Sequence, residues 1–145
     1  MPFHGIHDHS LDAKNRLTVP ARFRPELQTS GVVLAKNFEP CLLLSPAAVY
    51  AEMAESAMAG LGRMSPQARD LRRHFYGNTL PGELDSAGRV MLPGPFMEYA
   101  GIVKDCVIVG AGDWLEIWDR ATWRDYDAGL IPRAAEHIES IGHPA

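Results

Sequence analysis

The chain repeats itself, and this restricts its fold more than any other feature. Shifted by 73 residues without a gap, Leu11-Asp12-Ala13-Lys14-Asn15-Arg16-Leu17-Thr18-Val19-Pro20 lies over Leu84-Asp85-Ser86-Ala87-Gly88-Arg89-Val90-Met91-Leu92-Pro93. At the same offset Phe23 falls on Phe96, Val33-Leu34-Ala35 on Cys106-Val107-Ile108, Leu42 and Leu44 on Leu115 and Ile117, and Tyr50 on Trp123. A fixed-period repeat is one supersecondary unit used twice. A half of ~45 residues buries too little surface to be stable alone, so the two halves must share one core. The expectation is a β-rich barrel with an internal pseudo-two-fold axis relating the two Asp-x-x-x-Arg turns.

Each half reads locally in the same way. Ile6 to Leu11 is a strand, and Asp12 to Asn15 is a turn, because Asp and Asn bond to nearby backbone and tolerate left-handed geometry. Gly88 stands where the first half has Asn15. Leu17 and Val19 alternate with Arg16 and Thr18, and Val90 and Leu92 with Arg89 and Met91, giving one apolar and one polar face. Pro20 and Pro93 end these strands and open short helical turns. Two hairpins follow: Val32–Lys36 with Cys41–Leu44, and Cys106–Val109 with Trp114–Trp118. Ser45-Pro46 starts a helix to about Ala59, Ser65-Pro66 a second through Tyr76, and Asp119 a third carrying Trp123 and Tyr126. The sequence after Gly129, with Pro132, Gly142 and Pro144, reads as a loosely held tail.

Composition narrows the class. With 46% hydrophobic and 22% charged residues, the chain can build a core and is not globally disordered. No apolar run approaches the ~20 residues that span a membrane, and Met1 to Ser10 lacks the features of a secretory signal. An intracellular protein is expected. Cys41 and Cys106 lie in apolar surroundings and read as buried structural thiols. The net charge of −4 opposes nucleic-acid binding, but it is unevenly spread. Residues 1–90 carry +1 and residues 91–145 carry −5, which leaves room for a basic face on the N-terminal side.

His9-Ser10-Leu11-Asp12-Ala13-Lys14-Asn15-Arg16-Leu17-Thr18-Val19-Pro20 resembles the opening of MraZ proteins, and Glu83 to Pro93 resembles their second repeat. Tyr99-Ala100-Gly101, Val107-Ile108-Val109-Gly110 and Glu116-Ile117-Trp118-Asp119 extend the likeness, which covers residues 1–127. The resemblance implies an α+β fold of two tandem AbrB-like (swapped-hairpin) β-barrel repeats with peripheral helices. The division expected is residues 7–54 for the first repeat, 55–79 for a helical connector, 80–126 for the second repeat and 127–145 for the tail. It also implies a DNA-binding transcriptional regulator, assembled as a ring of identical chains. Its sites would be repeated elements in the promoter of a division and cell-wall gene cluster, placing it in the cytoplasm at the nucleoid. The Asp-x-x-x-Arg motif is the family's DNA-contacting element. The family usually has Gly where this chain has Asn15.

The chemistry of the motif agrees with that role. Arg16 and Arg89 present planar forks that can bond two acceptors of a guanine edge. Lys14, Arg22 and Arg24 are candidate phosphate contacts. Asp12 and Asp85, with Asn15 and Gly88, are expected to shape the turns and orient the arginines. Arg63, Arg69, Arg72 and Arg73 form a second basic group, read as a contact to acid on a neighbouring subunit. The aromatics read as core. His4, His7 and His9 lack the companions of a metal site. No nucleophile elbow, P-loop or HExxH pattern supports an enzyme, and no cofactor is implied. The competing class is an oligomeric protein-interaction module, for which the acidic net charge argues.

Overall fold

A computed structural model describes residues 2–142. Among the described residues eight strands and six α-helices make an α+β fold, and helical residues outnumber strand residues. The first half supplies β1 (Ile6–Ser10), β2 (Arg16–Thr18), β3 (Val32–Lys36) and β4 (Leu42–Pro46). The second supplies β5 (Thr79–Gly82), β6 (Arg89–Met91), β7 (Asp105–Gly110) and β8 (Leu115–Asp119). Six strands form one antiparallel sheet in the order β1-β7-β8-β4-β3-β5, while β2 and β6 pair as a separate two-stranded ribbon. The expected barrel is therefore an open arrangement: the hydrogen-bonded ladder does not run continuously around the core.

The order is its own mirror under exchange of the halves. The first strand of each half pairs with the third strand of the other, β1 with β7 and β5 with β3. Neither half completes a sheet by itself, which is how two units too small to fold alone share a core. The pseudo-axis runs through two pairs of equivalent residues: Leu17 opposite Val90 in the ribbon, and Leu43 opposite Glu116 between β4 and β8.

The gap-free offset fails at one strand. Val32 faces Pro46, and Cys106 faces Asp119, so β3 matches β7 at an offset of 74 rather than 73. The segment from Pro93 to β7 has gained a residue, and the β7–β8 connection has lost one relative to residues 37–41. The correct equivalents are Val32 with Cys106 and Leu34 with Ile108, which all belong to the inner core. A one-residue slip would have turned each side chain to the wrong face of the sheet.

That inner core lies between the six-stranded sheet and the ribbon. Leu17, Leu34, Leu42, Leu44, Ile108, Leu115 and Ile117 are fully buried there, beneath Phe23, Leu27 and Leu92. Each such side chain contributes ~1.5–3 kcal/mol on burial. A 3-10 turn over Ala21–Phe23 leads into α1 (Arg24–Leu27), and Pro93 leads into α4 (Gly94–Ala100), as the prolines predict.

Helices cover the opposite face of the sheet in two groups. α2 (Ala47–Met58) and α3 (Pro66–Arg72), with a π-helical turn over Arg73–Gly77, pack Tyr50, Ala54 and Phe75 against Ala35 and Leu43. α5 (Arg120–Asp127) packs Trp123 onto Trp118, Val107 and Cys41. Ser65 and Asp119 cap their helices as expected, accepting from the Ala68 and Thr122 amides. Ser45 does not: β4 continues to Pro46, α2 begins at Ala47, and the Ser45 hydroxyl donates to the Pro46 carbonyl. The supposed tail is a thirteen-residue helix, α6 (Leu130–Gly142). Pro132 falls in its first turn, where no amide donor is missed. His143, Pro144 and Ala145 lie outside the described residues. Cys41 and Cys106 are buried and free.

Candidate nucleic-acid interface

The two Asp-x-x-x-Arg turns have nearly the same hydrogen bonds. Asp12 Oδ1 accepts the Lys14 and Arg16 amides, both at 2.9 Å, and its Oδ2 accepts Arg16 Nε at 2.7 Å. Asp85 Oδ1 accepts the Ala87 and Arg89 amides, both at 2.9 Å, and its Oδ2 accepts Arg89 Nε at 2.8 Å. The amide of the arginine four residues on is the main cause holding each carboxyl below the usual carboxylate range. Asn15 sits at φ 58° and Gly88 at φ 74°, so asparagine does adopt the left-handed turn that glycine fills in the second copy.

This bonding leaves the business end of each arginine open. The aspartate engages only Nε, and among the described residues no hydrogen bond takes up either Nη of Arg16 or Arg89. The two side chains are alike in exposure, 28% and 31%. A fork fixed at its root and free at both tips is poised to meet a bidentate acceptor.

The ribbon places both forks on one face. Arg16 stands opposite Met91 and Arg89 opposite Thr18, while Leu17 and Val90 point into the core. Arg16 and Arg89 are thus diagonal neighbours, ~7–8 Å apart across the ribbon. Two further backbone bonds lock the turns to the ribbon ends: the Val19 amide donates to the Gly88 carbonyl, and the Leu92 amide to the Asn15 carbonyl. Thr18 and Met91 complete this outward face. Period-two alternation around each arginine was the signal that identifies them.

The remaining basic residues do not gather where sequence order suggests. Lys14 is exposed at the tip of the first turn. Arg24 crosses to the second: its Nε donates to the Val19 carbonyl at 2.9 Å, and its side chain lies against Gly88 so closely that a Cβ there would meet Nε at 2.3 Å. Met97 takes the equivalent position beside Asn15, in an apolar hollow with Ile102 and Val103. Arg22 is at the far end of β1, bonded to the His4 carbonyl and the His7 ring and stacked over Phe23. It is not brought to either turn. His4, His7 and His9 form no metal cluster, and none occurs among the described residues.

A model of the MraZ protein family matches residues 3–74 and again residues 75–139, once per repeat. The chain belongs to the MraZ family. A protein of Symbiobacterium thermophilum named Transcriptional regulator MraZ is 38% identical over 95% of this chain and 99% of its own length. One of the same name from Frankia casuarinae is 39% identical over 96% of each, and one from Nitrosomonas europaea is 38% identical over 83% of each. The MraZ repeats thus coincide with the two halves that exchange strands here. No helix among the described residues is long and apolar enough to cross a membrane.

Proposed function

We propose that this protein is a sequence-specific DNA-binding transcriptional regulator, and that the β2–β6 ribbon enters the major groove with Arg16 and Arg89 as its reading residues. The observation that carries this is the pair of guanidinium groups held only through Nε, side by side on one face of a two-stranded ribbon. A ribbon of two strands fits the major groove, and Arg bonding to guanine O6 and N7 is the commonest specific contact there. Their spacing of ~7–8 Å corresponds to roughly two base-pair steps of ~3.4 Å. One chain can thus place both arginines on DNA together. Lys14 and Arg24 flank the face as phosphate contacts, while Asp12, Asp85, Asn15 and Gly88 set the arginines and do not touch DNA.

The regulator acts in the cytoplasm at the nucleoid as a homo-oligomer, a ring, on repeated sites in the promoter of a division and cell-wall gene cluster. The names of its relatives support regulation. Several weak ribbon contacts on repeated sites add by avidity. The test is a binding titration on the organism's own promoter across a salt series, with a footprint at several protein concentrations. Specific protection at repeated elements, weakening steeply with salt, is expected. Binding that ignores both salt and sequence would leave the protein-interaction module as the better reading.

A further inference from the structure

The helices that follow α2 and α5 behave differently. In the first half α3 and the π-helical turn fold back, burying Ala68 and Phe75 against the sheet-facing cluster. In the second half no residue of α6 is fully buried: Ile131, Ile138 and Ile141 are 82%, 72% and 81% exposed. Spaced by seven and three residues, they form one stripe along the helix, with Ala134 and Ala135 between them. The root of the helix is fixed. Leu130 packs on the Trp118–Trp123 cluster, and Arg133 donates to the Tyr126 carbonyl at 2.7 Å while lying over the Tyr126 ring. The stripe is therefore a presented surface. Glu139 borders the stripe beside Ile131 while Glu136 lies toward the far face of the helix, and neither makes an ion pair among the described residues.

Across the pseudo-axis, α2, α3 and their connection enclose a groove lined by Met58, Leu61, Ala68 and Tyr76, with Arg63 and Arg72 on it and Glu55 as its carboxylate. Arg69 stands nearby. Arg69 and Arg72 donate to the carbonyls of Met64 and Arg63, which fixes them, yet among the described residues neither they nor Arg63 pairs with an acid. An apolar stripe bordered by the unpaired Glu139 and an apolar groove bordered by unpaired Arg63 and Arg72 are complementary. Within one chain the α6 isoleucines stay exposed, so the helix does not occupy its own groove.

We propose that α6 of one copy of this chain docks in the α2–α3 groove of a second copy. The acidic flank of α6 disfavours anionic lipid and DNA as its partner. The contact is heterologous: each copy offers one helix and one groove, so addition continues until the assembly closes on itself. This rests on the assembly part of the function proposed above and gives it an interface, remote from the ribbon.

The test uses the full chain and two surface variants, Ile138→Asp with Ile141→Asp on the helix, and Arg63→Glu with Arg72→Glu on the groove. Light scattering coupled to size exclusion reads the mass, and circular dichroism confirms folding. Wild type should be oligomeric and each variant monomeric. Mixed, the two variants should give a one-to-one heterodimer, because one keeps an intact groove and the other an intact helix. Folded variants that keep the wild-type mass, or a mixture that stays monomeric, would overturn this interface while leaving assembly intact. A monomeric wild type at micromolar concentration would overturn both. Salt-dependent promoter binding remains a separate readout, since the ribbon is complete in one chain.

Discussion

Leu17 lies opposite Val90 in the β2–β6 ribbon, and the two are the same position of the two repeats. The pseudo-axis therefore passes through the ribbon itself, and whatever one arginine does on its outer face the other can do equally. In sequence, Lys14, Arg22 and Arg24 all stand near the first turn. The structure sends Arg24 to the second turn and Arg22 away from both. Arg16→Ala and Arg89→Ala should accordingly weaken operator binding alike, by ~1–3 kcal/mol per lost bidentate contact and chain. Fluorescence anisotropy at matched salt measures this. A large difference between the two variants would show that only one turn reads bases.

The ribbon's inner face predicts the opposite phenotype. Leu17 is completely buried in the inner core. Leu17→Ala should cost ~2–5 kcal/mol of stability by leaving a cavity. Denaturant unfolding checks it, with DNA affinity falling only as the folded fraction falls.

The aspartates separate turn from fork. In Asp12→Asn, the amide oxygen can still accept the Lys14 and Arg16 amides, but the NH2 group cannot accept from Arg16 Nε. The turn should survive while the guanidinium loses its root, so DNA affinity drops with little change in melting. The pH dependence follows from the depressed carboxyl pKa values. A folded-state pKa below the unfolded value gives stability that is fully present above the unfolded pKa of ~3.9 and is lost as pH falls through the folded one. Melting temperature should thus decline on acidification below about pH 4, and less steeply in the Asp12→Asn, Asp85→Asn double variant.

Much of this was legible because it is local and written twice. The Asp-Asn and Asp-Gly turns, the alternation around Arg16 and Arg89, and the Ser65 and Asp119 caps each depend on neighbours within four residues. Three features were not. β5 contains Pro81 and Gly82, which argue against a strand, and it forms because β3 offers it an edge. α6 was hidden by Pro132 and Gly142, although its isoleucines keep helical spacing. Arg24 could not be assigned to Gly88, 64 positions away in sequence, until the ribbon pairing brought the second turn over α1. The one-residue slip in the repeat was invisible for the same reason, since strand register is a property of the assembled sheet.

Asn15 and Gly88 hold the same backbone and differ in what they touch. Asn15→Gly should leave stability within about 1 kcal/mol, since both residues accept positive φ. Gly88→Ala places a methyl group 2.3 Å from Arg24 Nε, so the arginine must leave its seat. Its chain is flexible, and the fold should hold. The expected loss is in binding, read as weaker affinity at low salt with the melting transition lowered by no more than ~1–2 kcal/mol of left-handed strain.

Salt dependence then decides which basic residues belong to the interface. Each phosphate contact contributes about 0.9 to the slope of log affinity against log salt. Lys14 at the first tip and Arg24 over the second turn flank the ribbon face, so Lys14→Ala and Arg24→Ala should each lower the slope by about one. Arg22 is bonded to His4 and His7 around the start of β1, roughly 17–27 Å from Asp12 along an extended strand. Arg22→Ala should leave the slope unchanged and cost only local packing over Phe23. Measuring all three slopes on one operator, with a scrambled duplex as control, tests the assignment. If Arg22→Ala lowers the slope while Arg24→Ala does not, DNA meets the β1 edge instead of the ribbon, and the reading face must be moved accordingly.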